Sequence, residues 1–323
     1  MNKRLRWLLL LALACEPCSH AWAQTGPYPN KAVKLVVPAP AGGPTDVLAR
    51  IVGQKMSESM GQPVVVENRP GANQIIGTDF VAKAAPDGYT LLMVVDSTMT
   101  MHPFAYKKLP YDPFRDFAPI STIANSYVVL MTTSSLPAES LNDLISQAKS
   151  QPGKISVASG TLGTQVIAER FASLAGIKLL HVPYKGSAAV AQAVLAGDVN
   201  MAADGFSAYR GSIGKGRFKI LATTGTRRAA AIPDVPTFAE LGFPGFDNGV
   251  WLGMAAPAGT PTPIVNRLSE EVGKILAMRD VLERFEAFGL EPMPSTPAKT
   301  ADFIRSEADK WSKTIRDAGI SIE

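Results

Sequence analysis

The chain has 323 residues, of which 46% are hydrophobic and 19% charged, and its formal net charge is +4. This balance is close to neutral, and no basic stripe with interleaved aromatic residues appears, so we expect no nucleic-acid partner. The length is sufficient to bury one or two hydrophobic cores.

The first residues indicate export. A positively charged start, a short apolar run and an Ala-x-Ala site ending at Ala23 predict a secretory signal peptide over residues 1–23. The apolar run is shorter than the about 20 residues that a membrane-spanning helix needs. Lipid anchoring at Cys15 is the alternative. Cys15 and Cys18 both precede the predicted cut, so we expect a mature chain without disulfides or cysteine-bound metal.

The first candidate site follows a strand-like run at residues 33–37. Gly42-Gly43-Pro44-Thr45-Asp46 predicts a tight turn and a helix start, where unpaired backbone N–H groups and the helix dipole suit an anion. The alternative is an ordinary turn between a strand and a helix. We expect Asp46 to cap the helix or hold a water, and the alternative is a contact with a ligand hydroxyl or ammonium group.

Farther along, short strands and helices alternate, which is typical of an α/β fold with mainly parallel sheets. Strands are predicted at residues 64–66, 90–95, 126–132, 154–158, 179–182, 199–203, 218–223 and 250–256. Helices are predicted at residues 77–85, 141–150, 164–175, 188–196, 263–278, 281–288 and 300–317. Ser97 follows a predicted strand, and ligands of such sheets bind beyond the carboxyl ends of strands, so it is a further candidate.

The order of these elements predicts two lobes. The runs at residues 126–132 and 250–256 separate two series of strands and helices and are predicted to be hinge crossings. The first lobe is then discontinuous, with residues 24–125 and 251–323, and the second lobe comprises residues 126–250.

A second candidate loop repeats the first arrangement in the second lobe. A predicted strand ends at Ser159, the sequence Gly160-Thr161 follows, and a helix begins near Thr164, which is a good N-cap type. Two such loops on facing lobes would hold one anion between them, and the alternative is two unrelated turns. Neither loop matches a nucleotide-binding motif, and export also disfavours nucleotides, so carboxylate is the better anion.

Signals of an enzyme are few. His102 and His181 are the only histidines of the predicted mature chain, and no metal-binding spacing pairs them, so we expect no metal and no cofactor. Ser159 or Ser97 with a histidine and an aspartate would in principle form a triad, but no spacing supports one. We expect the histidines to be structural.

The chain also resembles a known family over nearly all of its predicted mature length. The matching motifs are YPNK at 28–31, VVP at 36–38, AGGPTD at 41–46, VENRPGA at 66–72, APDGYTL at 85–91, LPYDP at 109–113, DFAPI at 116–120, HVPYKG at 181–186, PDVPT at 233–237 and AAPAGTP at 255–261. In this order they resemble the Bug family of periplasmic solute receptors, the receptors of tripartite tricarboxylate transporters.

The resemblance implies a two-lobed type II periplasmic-binding-protein fold, also called a Venus flytrap, that closes over a small carboxylate. It implies a periplasmic location, and membrane permease subunits as partners of a receptor that we expect to be monomeric. One ligand carboxylate would lie between the two loops. The implied contacts are Ala41, Gly42, Gly43, Thr45 and Asp46 on one side and Ser159, Gly160, Thr161 and Thr164 on the other.

Three departures from the family pattern affect the far end of the ligand. Ala39 stands where relatives often have Phe, Asn73-Gln74-Ile75 replaces a glycine-rich continuation, and Asp204 keeps its place but loses its usual neighbours. We therefore include Ala39 and Asp204 among the candidate ligand contacts. Tyr184 and Lys185 are expected to pack and to be solvated, respectively, and the alternative for Lys185 is a counter-charge to the ligand.

Two other functions remain open from the sequence. The first is a sensor that signals to a membrane kinase. The second is a periplasmic hydrolase that uses Ser159 and His181. The hydrolase requires these two side chains to lie within hydrogen-bonding distance.

Overall fold

The computed structural model describes residues 28–136, 138–213 and 215–322. The predicted signal peptide and both cysteines lie outside these residues. The strands are β1 (Val33–Val37), β2 (Val64–Asn68), β3 (Thr90–Val95), β4 (Phe117–Ser126), β5 (Val128–Thr133), β6 (Ser156–Ser159), β7 (Leu180–Pro183), β8 (Met201–Gly205), β9 (Phe218–Thr223), β10 (Val250–Pro257) and β11 (Leu290–Pro292).

The α-helices are α1 (Pro44–Met60), α2 (Ile75–Ala82), α3 (Asp96–Thr100), α4 (His102–Ala105), α5 (Leu141–Ser150), α6 (Leu162–Ala175), α7 (Ser187–Ala196), α8 (Thr262–Leu276), α9 (Arg279–Ala287) and α10 (Pro297–Asp317). A 3₁₀ helix spans Phe206–Ser212. The pattern of short strands and helices did not predict β4, α3, α4, the 3₁₀ helix or β11. The last four are short, and their apolar residues show no full helical or strand period. β4 is ten residues long, but the sequence placed a strand only from residue 126 onward.

The strands form two separate sheets. The first has the order β11-β4-β10-β3-β1-β2, and the second has the order β7-β6-β8-β5-β9. The first sheet therefore takes strands from both ends of the chain. In each sheet the strands that precede the candidate loops are parallel: β1 pairs with β2 and β3, and β6 pairs with β7 and β8.

Both sheets are mixed, whereas the sequence predicted mainly parallel ones. β10 runs antiparallel to β3 and β4, and β5 runs antiparallel to β8 and β9. The reason is the connection between the sheets. β4 continues into β5 with only Tyr127 between them, so a strand leaving one sheet enters the next without a helical crossover.

Each sheet is covered on both faces by apolar residues. Leu35, Ile51 and Leu268 lie in one core cluster of the first sheet, and Phe171 and Val190 belong to two different clusters of the second. Burial on both faces explains why β3 and β5 are continuous apolar runs without alternation. Because the strands that precede the candidate loops are parallel within each sheet, their carboxyl ends and the loops that follow lie at one edge of that sheet.

The last helix contributes residues to core clusters of both sheets. Ile304 lies in a core cluster of the first sheet, and Trp311 and Ile315 lie in a cluster of the second. The second half of α10 lies against α6, which packs on the second sheet. The lobe boundaries and the hinge role of residues 126–132 and 250–256 stay predictions.

Candidate functional site

Four loops, two from each sheet, line a cavity of about 650 Å³. They connect β1 to α1, β2 to α2, β6 to α6 and β7 to α7. The volume suits a small ligand. Among the described residues that line the cavity, Lys185 is the only one with a formal charge, and it is exposed.

The β1–α1 loop presents unpaired amides. Gly43 is the N-cap of α1, and no side chain caps this helix end. Pro44 has no N–H group, so the first free donors of the helix are the amides of Thr45 and Asp46. Ala39, Ala41, Gly43 and Thr45 line the cavity as predicted candidates, and Gly42 does not.

Asp46 fastens this loop instead of lining the cavity. Its carboxylate accepts hydrogen bonds from the Gly42 amide at 2.9 Å, from Asn68 Nδ2 at 3.0 Å and from Arg50 Nε at 3.0 Å. Burial opposes ionisation, but the bonds from Arg50, Gly42 and Asn68 outweigh it and lower the pKa of Asp46. The left-handed Gly42 (φ 83°) is thereby held in a fixed turn.

The β6–α6 loop leads into a helix that is capped by its own threonines. Thr161 and Thr164 form a capping box, in which each hydroxyl accepts the other's backbone N–H at 3.2 Å. Thr164 is buried, and its hydroxyl bonds the backbone at the start of α6. Ser159, Gly160 and Thr161 line the cavity, and Thr164 does not.

Gly160 is required by the neighbouring loop. A Cβ at this position would lie 2.7 Å from the Gly186 carbonyl carbon and 2.8 Å from the Ser187 amide nitrogen. The two backbones also share a hydrogen bond from the Gly186 amide to the Gly160 carbonyl, at 3.1 Å. Close packing of these loops brings the start of α7 to the cavity.

The β7–α7 loop is the part of the site that sequence reasoning anticipated least. Tyr184, Lys185 and Ser187 all line the cavity, whereas we expected Tyr184 to pack and Lys185 to be solvated, with a counter-charge to the ligand as the alternative for Lys185. The missed signal was Gly186, which stands between a predicted strand and a predicted helix as Gly43 does. Gly186 is left-handed (φ 86°), and no side chain caps α7.

Asp204 lies behind this loop. It is fully buried and accepts hydrogen bonds from Ser187 Oγ at 2.7 Å and from the Tyr209 hydroxyl at 3.0 Å. Burial raises the pKa of Asp204 to about 6, and the bond from Ser187 opposes this rise. Asp204 does not line the cavity, so it affects a ligand only through Ser187.

The β2–α2 loop is strained where it borders the cavity. Ala72, Asn73 and Gln74 are consecutive left-handed residues, with φ of 45°, 50° and 78°. This conformation costs about 1–2 kcal/mol for each such residue. Asn73 and Gln74 line the cavity, so the departure from a glycine-rich sequence places two carboxamides at its wall.

Ser97 also supports the cavity wall from behind. Its side chain is fully buried, and its hydroxyl donates to Gln74 Oε1 at 3.0 Å. The candidate at the end of β3 therefore contacts the cavity through Gln74 and not directly.

Ser159 and His181 form a hydrogen-bonded pair in the cavity. Ser159 Oγ lies 2.6 Å from His181 Nε2. The distance required for a hydrolase is thus present. Among the described residues, however, no carboxylate bonds the other imidazole nitrogen, so the orienting member of a triad is missing. Burial lowers the pKa of His181.

Next to the site, Asp96 begins α3 with a buried carboxyl group. It accepts the Ser97 amide at 2.6 Å, and its second oxygen has no partner. A Cβ on Gly163, at the start of α6, would lie 3.2 Å from both oxygens. Burial raises the pKa of Asp96 to about 8 against the Ser97 bond, and Glu307 raises it further.

Asp96→Asn is expected to remove a pH-dependent loss of stability. The pKa of Asp96 is higher in the folded chain than in the unfolded chain, so folding binds a proton and stability falls as pH rises from about 4 to about 8. The variant keeps the Ser97 bond but does not titrate. Its unfolding free energy relative to the native chain should increase by about 2 kcal/mol between pH 5 and pH 7.

Urea unfolding of both proteins at a series of pH values measures this difference. Asp204 contributes a loss of the same sign up to about pH 6 in both proteins, so it cancels in the comparison. A difference that stays constant from pH 5 to pH 7.5 contradicts the buried, protonated state of Asp96.

No group of three or more His, Cys, Asp or Glu residues within the described residues is placed to hold a metal ion. No helix in the described part of the chain is long and apolar enough to cross a membrane.

Solved structures share this architecture over almost the whole chain. The R. palustris protein Rpa4515 with adipate has a TM-score of 0.86 and 33% identity, covering 91% of this chain and 99% of that one. MatC (Rpa3494) from Rhodopseudomonas palustris with bound malate has a TM-score of 0.81 and 31% identity, covering 89% and 100%. Two sheets flanked by helices and joined directly where β4 continues into β5, with a cavity at their loops, define a two-lobed periplasmic binding protein.

The particular family follows from the sequence comparison. The model for the tripartite tricarboxylate transporter family receptor matches residues 48–320. Protein BugT of Bordetella pertussis is 36% identical over 92% of this chain and 92% of its own length. The chain belongs to this family of receptors, as the motif order predicted.

Proposed function

We propose that the protein is a periplasmic receptor that binds a small organic carboxylate between its two lobes and delivers it to a tripartite tricarboxylate-type permease. The observation that carries this proposal is that three helices from the two sheets begin at one cavity, two of them without a side-chain cap. The Thr45 amide lies at the cavity from the first sheet, and α6 and α7 begin there from the second, although Thr161 already caps the Thr164 amide of α6.

The chemistry of the lining supports a carboxylate. Hydroxyl, carboxamide and amide donors surround the cavity, and the one aspartate of the β1–α1 loop is occupied by Gly42, Asn68 and Arg50. An anion therefore meets donors without meeting an unpaired carboxylate. Two solved relatives hold adipate and malate, which are ligands of this class.

We further propose that the protein acts by binding alone. Ser159 and His181 are paired, but no acid orients the imidazole, and the free amides around them are better explained by capture of an anion. Transport and sensing begin with the same binding step. Deletion of the gene, followed by uptake and transcription assays, separates the two roles.

A thermal-shift screen tests the carboxylate class. We expect the melting temperature to rise by several degrees with at least one of malate, adipate, citrate, glutamate, nicotinate or benzoate, because a ligand at 100 times its Kd stabilises the folded state by about 2.7 kcal/mol. The matched controls are the corresponding neutral amides, which should give no shift. No shift with any carboxylate overturns the proposal.

A further inference from the structure

His181 and Ser159 share one face of the second sheet at the wall of the cavity. His181 pairs in register with Val157 of the adjacent strand, and Ser159 lies two residues farther along that strand. Residues two apart on a strand point to the same face, which is why the two side chains meet. Ser159 is 3% exposed, and both residues line the cavity.

The position of the single proton between Ser159 Oγ and His181 Nε2 determines whether Ser159 is a hydrogen-bond donor or only an acceptor for a ligand. A serine hydroxyl has one proton to donate. If Nε2 of His181 is bare, Ser159 donates to it and presents only lone pairs to the cavity, which repel a carboxylate. If Nε2 carries a proton, His181 donates to Ser159, and the hydroxyl proton is free for the ligand.

We propose that His181 is the positioning residue that makes Ser159 a hydrogen-bond donor to the bound carboxylate, and that it couples carboxylate capture to proton uptake. This inference rests on the proposed function. A bound anion favours the forms of the imidazole with a proton on Nε2, and the imidazolium is the form that carries both this proton and an opposite charge.

The groups around His181 leave its imidazole free to change its protonation state when a ligand binds. The charged groups on the elements around it are Lys154, Glu169, Arg170, Lys178, Lys185 and Asp204. None of them is hydrogen-bonded to the imidazole, and burial is the cause of its lowered pKa. The unliganded receptor therefore holds a neutral His181 at pH 7, and a ligand that raises the pKa of His181 takes up a proton.

Thermodynamic linkage between ligand binding and proton binding sets the sign of the pH dependence of the carboxylate affinity. Affinity should rise as pH falls from the pKa of His181 in the complex toward its lower pKa in the free receptor, by up to about tenfold for each pH unit in this window. A merely structural histidine would leave the affinity independent of pH. The coupling also implies that the ligand is released more readily where the pH is higher.

Isothermal titration calorimetry of the full receptor tests the proposal. The probe is whichever of malate, adipate or benzoate gives the largest thermal shift, since their carboxyl groups stay largely ionised between pH 6 and 8.5. We expect Kd to fall at least about threefold from pH 8.5 to 6. Repeating the titration in buffers of different ionisation enthalpy should show uptake of up to about one proton.

Two variants complete the design. His181→Gln keeps a side-chain N–H donor for Ser159 but does not titrate, so it should retain binding and lose both the pH dependence and the proton uptake. Lys178→Gln changes an exposed charge beside the same strand and should behave as the native protein. Nitrogen NMR of His181 should show a proton on Nε2 in the complex.

The outcomes separate this inference from the function on which it rests. Binding that is independent of pH in the native protein, or a His181→Gln variant that keeps the native pH dependence, overturns the proton coupling. An Nε2 without a proton in the complex overturns the positioning role of His181, and each of these results leaves the receptor function intact. Failure of all probes to bind at any pH overturns both.

Discussion

Gly43→Asp is expected to abolish carboxylate binding, with Kd raised at least about 100-fold, while the protein remains folded. Gly43 is the uncapped N-cap of α1. An aspartate there would accept the free amides at the start of the helix, which are the donors proposed for the ligand. Its charge would also repel a carboxylate held at about 4 Å by about 4 kcal/mol at an effective dielectric constant near 20.

The fold should tolerate this substitution. The φ of Gly43 is −79°, which any residue adopts, and an added Cβ would contact only the Pro40 carbonyl oxygen at 3.7 Å. We expect the unfolding free energy to stay within about 1 kcal/mol of the native value, because aspartate is a favoured N-cap. Titration calorimetry and urea unfolding of the same preparations measure the two effects.

Gly43→Ala is the matched control for charge. It adds the same Cβ without a carboxylate and should bind within about threefold of the native protein, a change below about 1 kcal/mol. If Gly43→Asp binds the ligand within tenfold of the native Kd, the β1–α1 amides are not the anion site. If both variants lose binding equally, bulk and not charge is responsible.

The two anion loops were predictable because their determinants are local. A strand, a small-residue turn and a helix start follow one another within about a dozen residues, and the helix dipole needs no distant partner. Gly43 and Thr45, and likewise Ser159, Gly160 and Thr161, line the cavity for this reason. Their contact with a ligand stays a prediction.

Side chains one layer behind the cavity were harder to place. Asp46, Ser97 and Asp204 all stand at or near the carboxyl end of a strand, as ligand-binding residues do. Which way such a side chain points depends on partners far along the chain. Asp46 is held by Asn68, Ser97 bonds Gln74, and Asp204 bonds Ser187, so each supports the site instead of lining it.

Other features of the site were beyond sequence reasoning altogether. Ile322 lines the cavity because its backbone pairs with Tyr106, more than 200 residues earlier. Asn73 and Gln74 reach the wall through a left-handed conformation that non-glycine residues rarely adopt. No local preference predicts either arrangement, since both depend on tertiary packing that compensates for their cost.

Gly249→Ala is expected to destabilise the protein by about 3 kcal/mol or more, through overpacking at the crossing between the two sheets. A Cβ on Gly249 would lie 2.0 Å from the Ser126 carbonyl oxygen and 2.8 Å from Thr224 Oγ1. Atoms at such distances must move apart by about 1 Å, and the nearer one belongs to the backbone, which cannot rotate away.

The crossing has little freedom to accommodate that movement. The Gly249 amide donates to Asn125 Oδ1 at 2.9 Å, and the Val128 amide donates to Thr224 Oγ1 at 3.0 Å. These bonds hold the chain entering β10 against the junction of β4 and β5. Separating the two segments would break them inside a buried region, where an unpaired amide costs about 1–3 kcal/mol.

A neighbouring glycine provides the matched control. Gly205 is also buried beside Ser126, but a Cβ there would contact only Ser126 Oγ, at an ordinary 3.7 Å, and its φ of −63° suits alanine. Gly205→Ala should therefore stay within about 1 kcal/mol of the native protein in urea unfolding. Equal stability of the two variants would show that the chain entering β10 separates readily from the junction of β4 and β5.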